Sequence, residues 1–324
     1  MLVTFAIQSQ AINNSATPSH VKRLLVNWER FGILTCPARS DRSIIARLHE
    51  LNPRARKLWT VAWSSVAKNN GNRYRWIPTD ESAFDWNNLV TADALTVPDE
   101  KFEVALLGDG QATILGIPDG ESMCLGSVEG VRLWDIDASL RFGHCETLSA
   151  KPIEQGELRE DIWTQRFQRL ASHANVIVVV DQYAVQNNNI DGVISLLNFC
   201  DRDSEGCEIT LYSSPGRNGS LHTIQNAIEA AFYRLNGNRI ASVTVRLFRE
   251  SDFRVYAHDR HIRFDQNVIR IGRGMRPFEK ATVTESTDVG LAVLEPGESE
   301  TKEDDLDKKA TKILEFSLPV GQSN

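Results

Sequence analysis

No apolar run in the 324-residue chain approaches the ~20 residues that a membrane-spanning helix needs, so integral membrane association is not expected. The opening MLVTFAIQSQ lacks the basic n-region and long apolar stretch of a secretory signal. Cysteine is sparse and unpatterned. Cys36, Cys124, Cys145, Cys200 and Cys207 are odd in number, with no CxxC pair and no zinc-ribbon spacing. This argues against a disulfide framework or a zinc site and for a reduced, cytoplasmic setting. The glycines of GDGQATILG and GIPDG are not followed by a helix with a phosphate-binding lysine, so they read as hairpin turns. Asp135 and Asp137, in LWDID, read as a solvated strand end rather than metal ligands. No metal and no cofactor are expected.

What is present is a globular composition, 41% hydrophobic and 24% charged, with enough chain for two or three domains. The net charge of -7 conceals a strong asymmetry. Between His20 and Trp76 lie twelve Lys and Arg residues against three acidic ones, whereas Glu295 to Asp307 carries seven acidic residues against Lys302 alone. A polyanion-binding segment and a solvating tail follow from this split.

The periodicity divides the chain into four parts. Residues 1–78 read as a basic, mainly helical region. In PSHVKRLLVNWERFG the residues Val21, Leu24, Leu25, Trp28 and Phe31 recur at helical spacing. Asn52-Pro53 is a cap followed by proline, which opens a helix to about Lys68. Two helices meeting at Leu51-Asn52-Pro53 allow a helix-turn-helix, and the trailing RYRW strand allows a winged variant. Residues 79–150 read as a small β-rich region with strands FEVALLG, QATILGI and GVRLWDI. In 151–282 helices and strands alternate: helices at Asp161–Ser172, Asp191–Phe199 and Leu221–Leu235, strands at Val176–Val180, Glu208–Ser213 and Ser242–Leu247, then closing strands around Val255–Phe264 and Val268–Gly272. Such βα units imply an α/β sheet covered by helices. Residues 283–324 read as an acidic, disordered tail, within which ILEFSLPV is able to dock as a last strand or bind a partner.

The chemistry concentrates in HDRHIRFDQNVIRIGRG. On a strand, His258 and Arg260 share a face, and Asp265 follows at a turn. Histidine serves as nucleophile or acid-base near neutral pH, arginine grips phosphate oxygens, and a carboxylate orients an imidazole. The plainer reading is a charged edge strand. His261 points away from His258 and is expected to be structural or solvent-facing. Arg273, between Gly272 and Gly274, either grips phosphate or forms a salt bridge; Asp181 either lines the site or caps a turn.

The spacing of His258, Arg260, Asp265 and Gly272 resembles the phospholipase D signature H-x-K-x4-D-x6-G, with arginine in the lysine position. The wider string is similar to the C-terminal phospholipase D-like domain of the MIT-domain proteins, and WTQRFQRLASHANVIVVVDQYAV, with Asp181 and Tyr183, extends the likeness upstream. It covers roughly residues 155–280. Residues 1–150 do not resemble that family's MIT helices.

The resemblance implies a phospholipase D-like sheet and two alternatives for function. One is a metal-independent phosphodiesterase or nuclease. Active members pair two motifs, and this chain has one, so the implied enzyme is a homodimer with His258 as nucleophile and its mate as general acid. Arg260 and Arg273 would stabilise phosphate charge and Asp265 would orient the imidazole, an architecture that fits a nuclease effector of a bacterial defence system, with further protein subunits allowed. The other is a non-catalytic scaffold that recognises phosphate on nucleic acid, membrane headgroups or proteins. Independently of the resemblance, the basic segment points to DNA or RNA. Trp28, Trp59 and Trp63 are expected in a core, leaving Arg54, Arg56, Lys57, Arg73, Tyr74, Arg75 and Trp76 as nucleic-acid contacts.

Overall fold

A computed structural model of the chain describes residues 1–37, 46–68, 74–77, 102–186, 189–203, 206–216, 220–234, 240–257, 259–293 and 298–319. The chain divides into an N-terminal unit, 2–147, and a C-terminal unit made of Met1 and residues 148 onward. Both are mixed α/β, in keeping with the expected class.

The N-terminal unit is built on six strands: β1 (Val3–Ile7), β2 (Gly32–Pro37), β3 (Tyr74–Ile77), β4 (Val104–Leu107), β5 (Ser122–Leu125) and β6 (Val128–Arg132). Their order is β3-β2-β1-β4-β6-β5, and every neighbouring pair is parallel except β5 and β6. The expected split into a helical region at 1–78 and a β-rich region at 79–150 is therefore replaced by one sheet. The physical reason lies in VTFAI and VALL, which are buried along their whole length. Strands covered on both faces lack the polar alternation by which a half-buried strand is recognised.

The helix Pro18–Phe31 forms as its periodicity predicts, with Thr17 Oγ1 accepting from His20 N at 3.3 Å and Val21, Leu24, Trp28 and Phe31 buried. Helix Pro53–Trp63 starts where expected, with Asn52 Oδ1 accepting from Ala55 N at 2.9 Å. The helical residues 46–50 precede it across Leu51 and Asn52. Both segments sit in the connection between two parallel strands, and Tyr74–Ile77 pairs with β2 as a sheet strand rather than as the wing of a winged helix. QATILGI is not a strand: Asp109–Ile114 is helical. GVRLWDI yields β6 and then a 3-10 segment, Leu133–Ala138. Trp28 and Trp59 are core residues, as expected.

The C-terminal unit holds seven strands: β7 (Val176–Val180), β8 (Cys207–Ser213), β9 (Ile240–Phe248), β10 (His261–Phe264), β11 (Asn267–Ile271), β12 (Val289–Val293) and β13 (Lys312–Pro319). The order is β12-β11-β10-β7-β8-β9-β13. β7, β8 and β9 are parallel and are joined through the helices Asn189–Asp203 and Leu221–Phe232; the other pairings are antiparallel. Trp163 packs against Phe167, Phe199 and Phe278, and Phe167 reaches Phe264, which ties helix to sheet. Residues around Val255 are helical, Glu250–Tyr256, rather than the start of a strand.

The acidic segment departs most from expectation. Instead of a disordered tail, 289–293 pairs with β11, Glu298–Lys309 is a helix, and Lys312–Pro319 pairs with β9, realising the docking alternative for ILEFSLPV. The charges are spent on order. Lys302–Glu298, Lys308–Asp304 and Lys309–Asp305 are i,i+4 pairs along the helix, Leu306 is fully buried, and Glu303 binds Arg263.

Candidate phosphate-binding site

The site grows out of the register between β7 and β10. His261 pairs with Val180 in antiparallel sense, so the residue before β10, Arg260, arrives beside the residue after β7, Asp181. Arg260 Nε lies 3.6 Å from Asp181 Oδ1, Nη1 donates to Gly272 O at 2.8 Å, and the guanidinium carbon sits 5.0 Å from the centroid of the Tyr183 ring. A carboxylate, a carbonyl and an aromatic face thus fix one cation before any ligand arrives.

Asp181 is itself held. Its carboxylate is 2% exposed and accepts from Met275 N at 2.8 Å and Tyr183 N at 2.9 Å. Burial raises its pKa above the ordinary carboxylate value, opposed by those two amide bonds and by the charge on Arg260. Of the roles left open for Asp181, the turn-supporting one is seen in these bonds; it does not line the pocket, and stands behind Arg260 instead. Gly274 makes the approach feasible. Its φ is +61°, and a Cβ there would collide with the Asp181 carboxylate and stand 2.8 Å from Arg260 Cδ.

Around Arg260 lies a pocket of about 340 Å³ lined by Gln182, Tyr183, Arg254, Asp259, Arg260, Arg270, Ile271 and Gly272. Three guanidiniums face one carboxylate. Asp259 is bonded to Lys302 at 2.9 Å, while Arg254 pairs with Glu250 at 2.8 Å and Arg270 with Glu298 at 3.2 Å. Such exposed pairs are worth only ~0–1 kcal/mol, so an anion that engages all three arginines competes with them readily. The sequence pointed to Arg260, Gly272 and Asp181. It missed Arg254 and Arg270. The signal for Arg270 was available: a hairpin turning at Asp265-Gln266 sets Arg270 opposite His261. Arg254 reaches the pocket from a short helix, for which the motif held no clue.

The remaining expected site residues are placed as follows. His258 lies outside the described residues, as does Arg73. Asp265 is at the far end of β10 from Arg260, roughly 16 Å away at a strand's rise per residue. Its carboxylate accepts from Asn175 N at 3.1 Å and Val176 N at 3.0 Å, and its φ of 48° makes the hairpin turn. The role of orienting an imidazole near Arg260 is corrected accordingly: Asp265 ties the β10–β11 turn to the start of β7. Burial raises its pKa, against the bonds from Asn175 and Val176 and the charge on Arg263.

Arg273 does not line the pocket; it binds Glu285 at 2.7 Å, a carboxylate shared with Arg276 at 3.0 Å, which is the salt-bridge alternative. His261 is buried, with Nε2 3.4 Å from Glu303 Oε1.

Of the nucleic-acid candidates, Arg54 and Lys57 are exposed and unpaired among the described residues. Arg56 is instead structural, donating to the carbonyls of Leu48, His49 and Leu51 and so closing the preceding helical turn. Tyr74, Arg75 and Trp76 lie on β3, and only their backbone is described. Among the described residues no cluster of His, Cys, Asp or Glu is arranged to hold a metal ion, and no helix is long and apolar enough to cross a membrane.

No protein-family model and no curated protein matches the chain. Among solved structures, the chain is similar to TrmBL2, an archaeal chromatin protein whose structure shows a novel mode of DNA binding, at 13% identity and a TM-score of 0.26. The match covers 51% of this chain and spans about half of the other, 54%.

Proposed function

We propose that the C-terminal unit is a phospholipase D-like module that recognises the phosphodiester backbone of nucleic acid through Arg254, Arg260 and Arg270. The observation that carries this reading is the anchoring of Arg260 by Asp181, Gly272 and Tyr183 at the wall of a pocket also lined by Arg254 and Arg270, whose own ion pairs with Glu250 and Glu298 are exposed and replaceable by an anion. A preorganised guanidinium loses little freedom when it binds phosphate, and it presents paired donors that match two phosphate oxygens. Exposed Arg54 and Lys57 in the N-terminal unit are separate candidate phosphate contacts.

The test is fluorescence-anisotropy binding of labelled single- and double-stranded DNA and RNA oligonucleotides to the full chain. Affinity should fall steeply between about 50 and 200 mM salt. Arg260→Ala should weaken binding by at least about tenfold, and Arg260→Lys by less, because charge is kept while the fork is lost. Salt-insensitive binding, or binding untouched by Arg260→Ala, overturns the reading.

A hydrolytic role for the same module is favoured by one sequence observation, the H-x-R spacing of His258 and Arg260. It requires a second histidine, which a homodimer would supply across its two-fold axis. Cleavage of the bound oligonucleotide that survives EDTA and vanishes in His258→Ala establishes it; binding without cleavage leaves recognition as the function.

A further inference from the structure

The N-terminal unit contains a second concavity, remote in chemistry from the arginine pocket. β2 and β3 lie on one side of β1 and β4 lies on the other, so the direction of chain progression reverses between β1 and β4. β1 and β4 are parallel, and their carboxyl ends therefore open side by side. In open α/β sheets this crevice is where small ligands bind, because the two connections leave it in opposite directions and splay apart. Here it is a cavity of about 280 Å³ lined by Gln8, Gln10, Asn13, Gly108, Asp109, Gly110 and Gln111. Gln8 immediately follows β1 and Gly108 immediately follows β4; Gly108 N donates to Gln8 Oε1 at 3.1 Å, which fixes the two strand ends to each other.

We infer that this cavity binds a small uncharged polyol, a sugar ring bearing vicinal hydroxyls. Four carboxamides and a carboxylate supply donors and acceptors together, and a hydroxyl is both. Asn13 illustrates the balance: its Oδ1 accepts from Ser15 N at 2.9 Å, which leaves the amide hydrogens as donors. A phosphate wants donors and cations. Among the described residues no Lys, Arg or His lines the cavity, and the nearby Arg132 is already held by Asp109 at 3.6 Å and Asp119 at 2.9 Å, so no cation is presented to an anion. The volume, just under the ~300 Å³ floor of typical ligand pockets, admits one ring system and excludes a dinucleotide.

Two sources share this chemistry, the ribose of a nucleoside and a free hexose. Isothermal titration calorimetry of the full chain with adenosine, guanosine, cytidine and uridine in one arm, and glucose, galactose and mannose in the other, separates them. Binding in either arm supports the inference and names the source. Gly110→Tyr places the block: Gly110 lines the cavity, a Cβ there meets nothing within 4 Å and its backbone is not left-handed, so a bulky side chain is tolerated at the cavity wall. The variant should keep the wild-type thermal midpoint and lose affinity by at least about tenfold. Gln111→Ala should weaken binding in the same direction and carries the test if Gly110→Tyr does not fold. No heat from either arm at 10 mM ligand, affinity unchanged in both variants, or AMP binding more tightly than adenosine in a manner abolished by Gly110→Tyr would each overturn the inference.

Discussion

Replacing Glu303 by alanine tests how the acidic helix is held. Glu303 and Arg263 are 8% and 12% exposed at their side chains, joined by Arg263 Nε to Oε1 at 2.8 Å and by Nη2 to Oε2, with His261 Nε2 3.4 Å from the same carboxylate. Removing one partner of a buried pair leaves the other charge uncompensated, at a cost of ~3–5 kcal/mol. Arg263 would keep its bond to Asp265 O at 2.8 Å and its approach to half-exposed Glu300 at 3.6 Å, so the lower end, about 3 kcal/mol, is expected. Because the chain has two units, global unfolding is not a clean two-state measure. Native-state hydrogen exchange resolves the helix directly: 3 kcal/mol corresponds to roughly a hundredfold faster exchange in Glu298–Lys309. The double variant Arg263→Met, Glu303→Leu should restore protection to within about 1 kcal/mol, because an apolar pair carries no desolvation penalty. Acid provides an independent handle. The bonds from His261 and Arg263 outweigh burial and lower the Glu303 pKa, so its contribution is full above the ordinary carboxylate value and disappears as pH falls through the lowered one. Helix protection that changes less than about threefold in Glu303→Ala would show that Leu306 and the surface pairs hold the helix without the buried carboxylate.

Three further outcomes follow from the site. Gly274→Ala should cost ~2–5 kcal/mol, the left-handed penalty plus overpacking against Asp181 and Arg260, and should weaken oligonucleotide binding along with stability; a stable variant with full affinity refutes the close approach. Asp181 has the opposite pH sign to Glu303: its folded pKa is raised by burial, so its favourable contribution is complete below the ordinary carboxylate value and is lost as pH rises through the raised one, and Asp181→Asn should flatten that decline in urea titrations run at successive pH values. Asp265→Ala removes the carboxylate that accepts from two amide N–H groups and a tolerated left-handed turn, about 2–4 kcal/mol, yet the folded fraction should bind oligonucleotide with unchanged affinity; a loss of affinity would return Asp265 to the pocket.

How much of the fold was legible depended on whether a residue's partner is near it in sequence. Helix Pro18–Phe31 and the cap at Asn52 are local, and both were readable. So was β7, because VIVVV sits between a helix and a turn. β1 and β2 were not, since a short strand buried at each residue whose burial is described carries no alternation, and the basic charge around them directed attention to helices. In 298–309, net acidity signalled solvation; the pairings that order the segment instead are i,i+4 contacts, which composition does not register, and a bond from Glu303 to a strand forty residues upstream. The candidate site divides the same way. The H-x-R stretch locates Arg260, and Arg254 enters only because the fold brings a separate helix to that end of the sheet.

Strand β13 has a consequence for synthesis. Until it is made, β9 has β8 on one side and nothing on the other, an open row of backbone donors and acceptors nine residues long. Its partners begin at Lys312, opposite Phe248, more than sixty residues later. At translation rates of ~5–20 residues per second, that edge waits roughly 3–13 s for its cover. During that interval nascent chains on neighbouring ribosomes carry the same unpaired strand, and every second residue of β9 from Ser242 to Arg246 is polar. Polar residues on one face of an unpaired strand make it less apolar, and so less apt to pair between chains, than an uninterrupted run of valine and leucine would be.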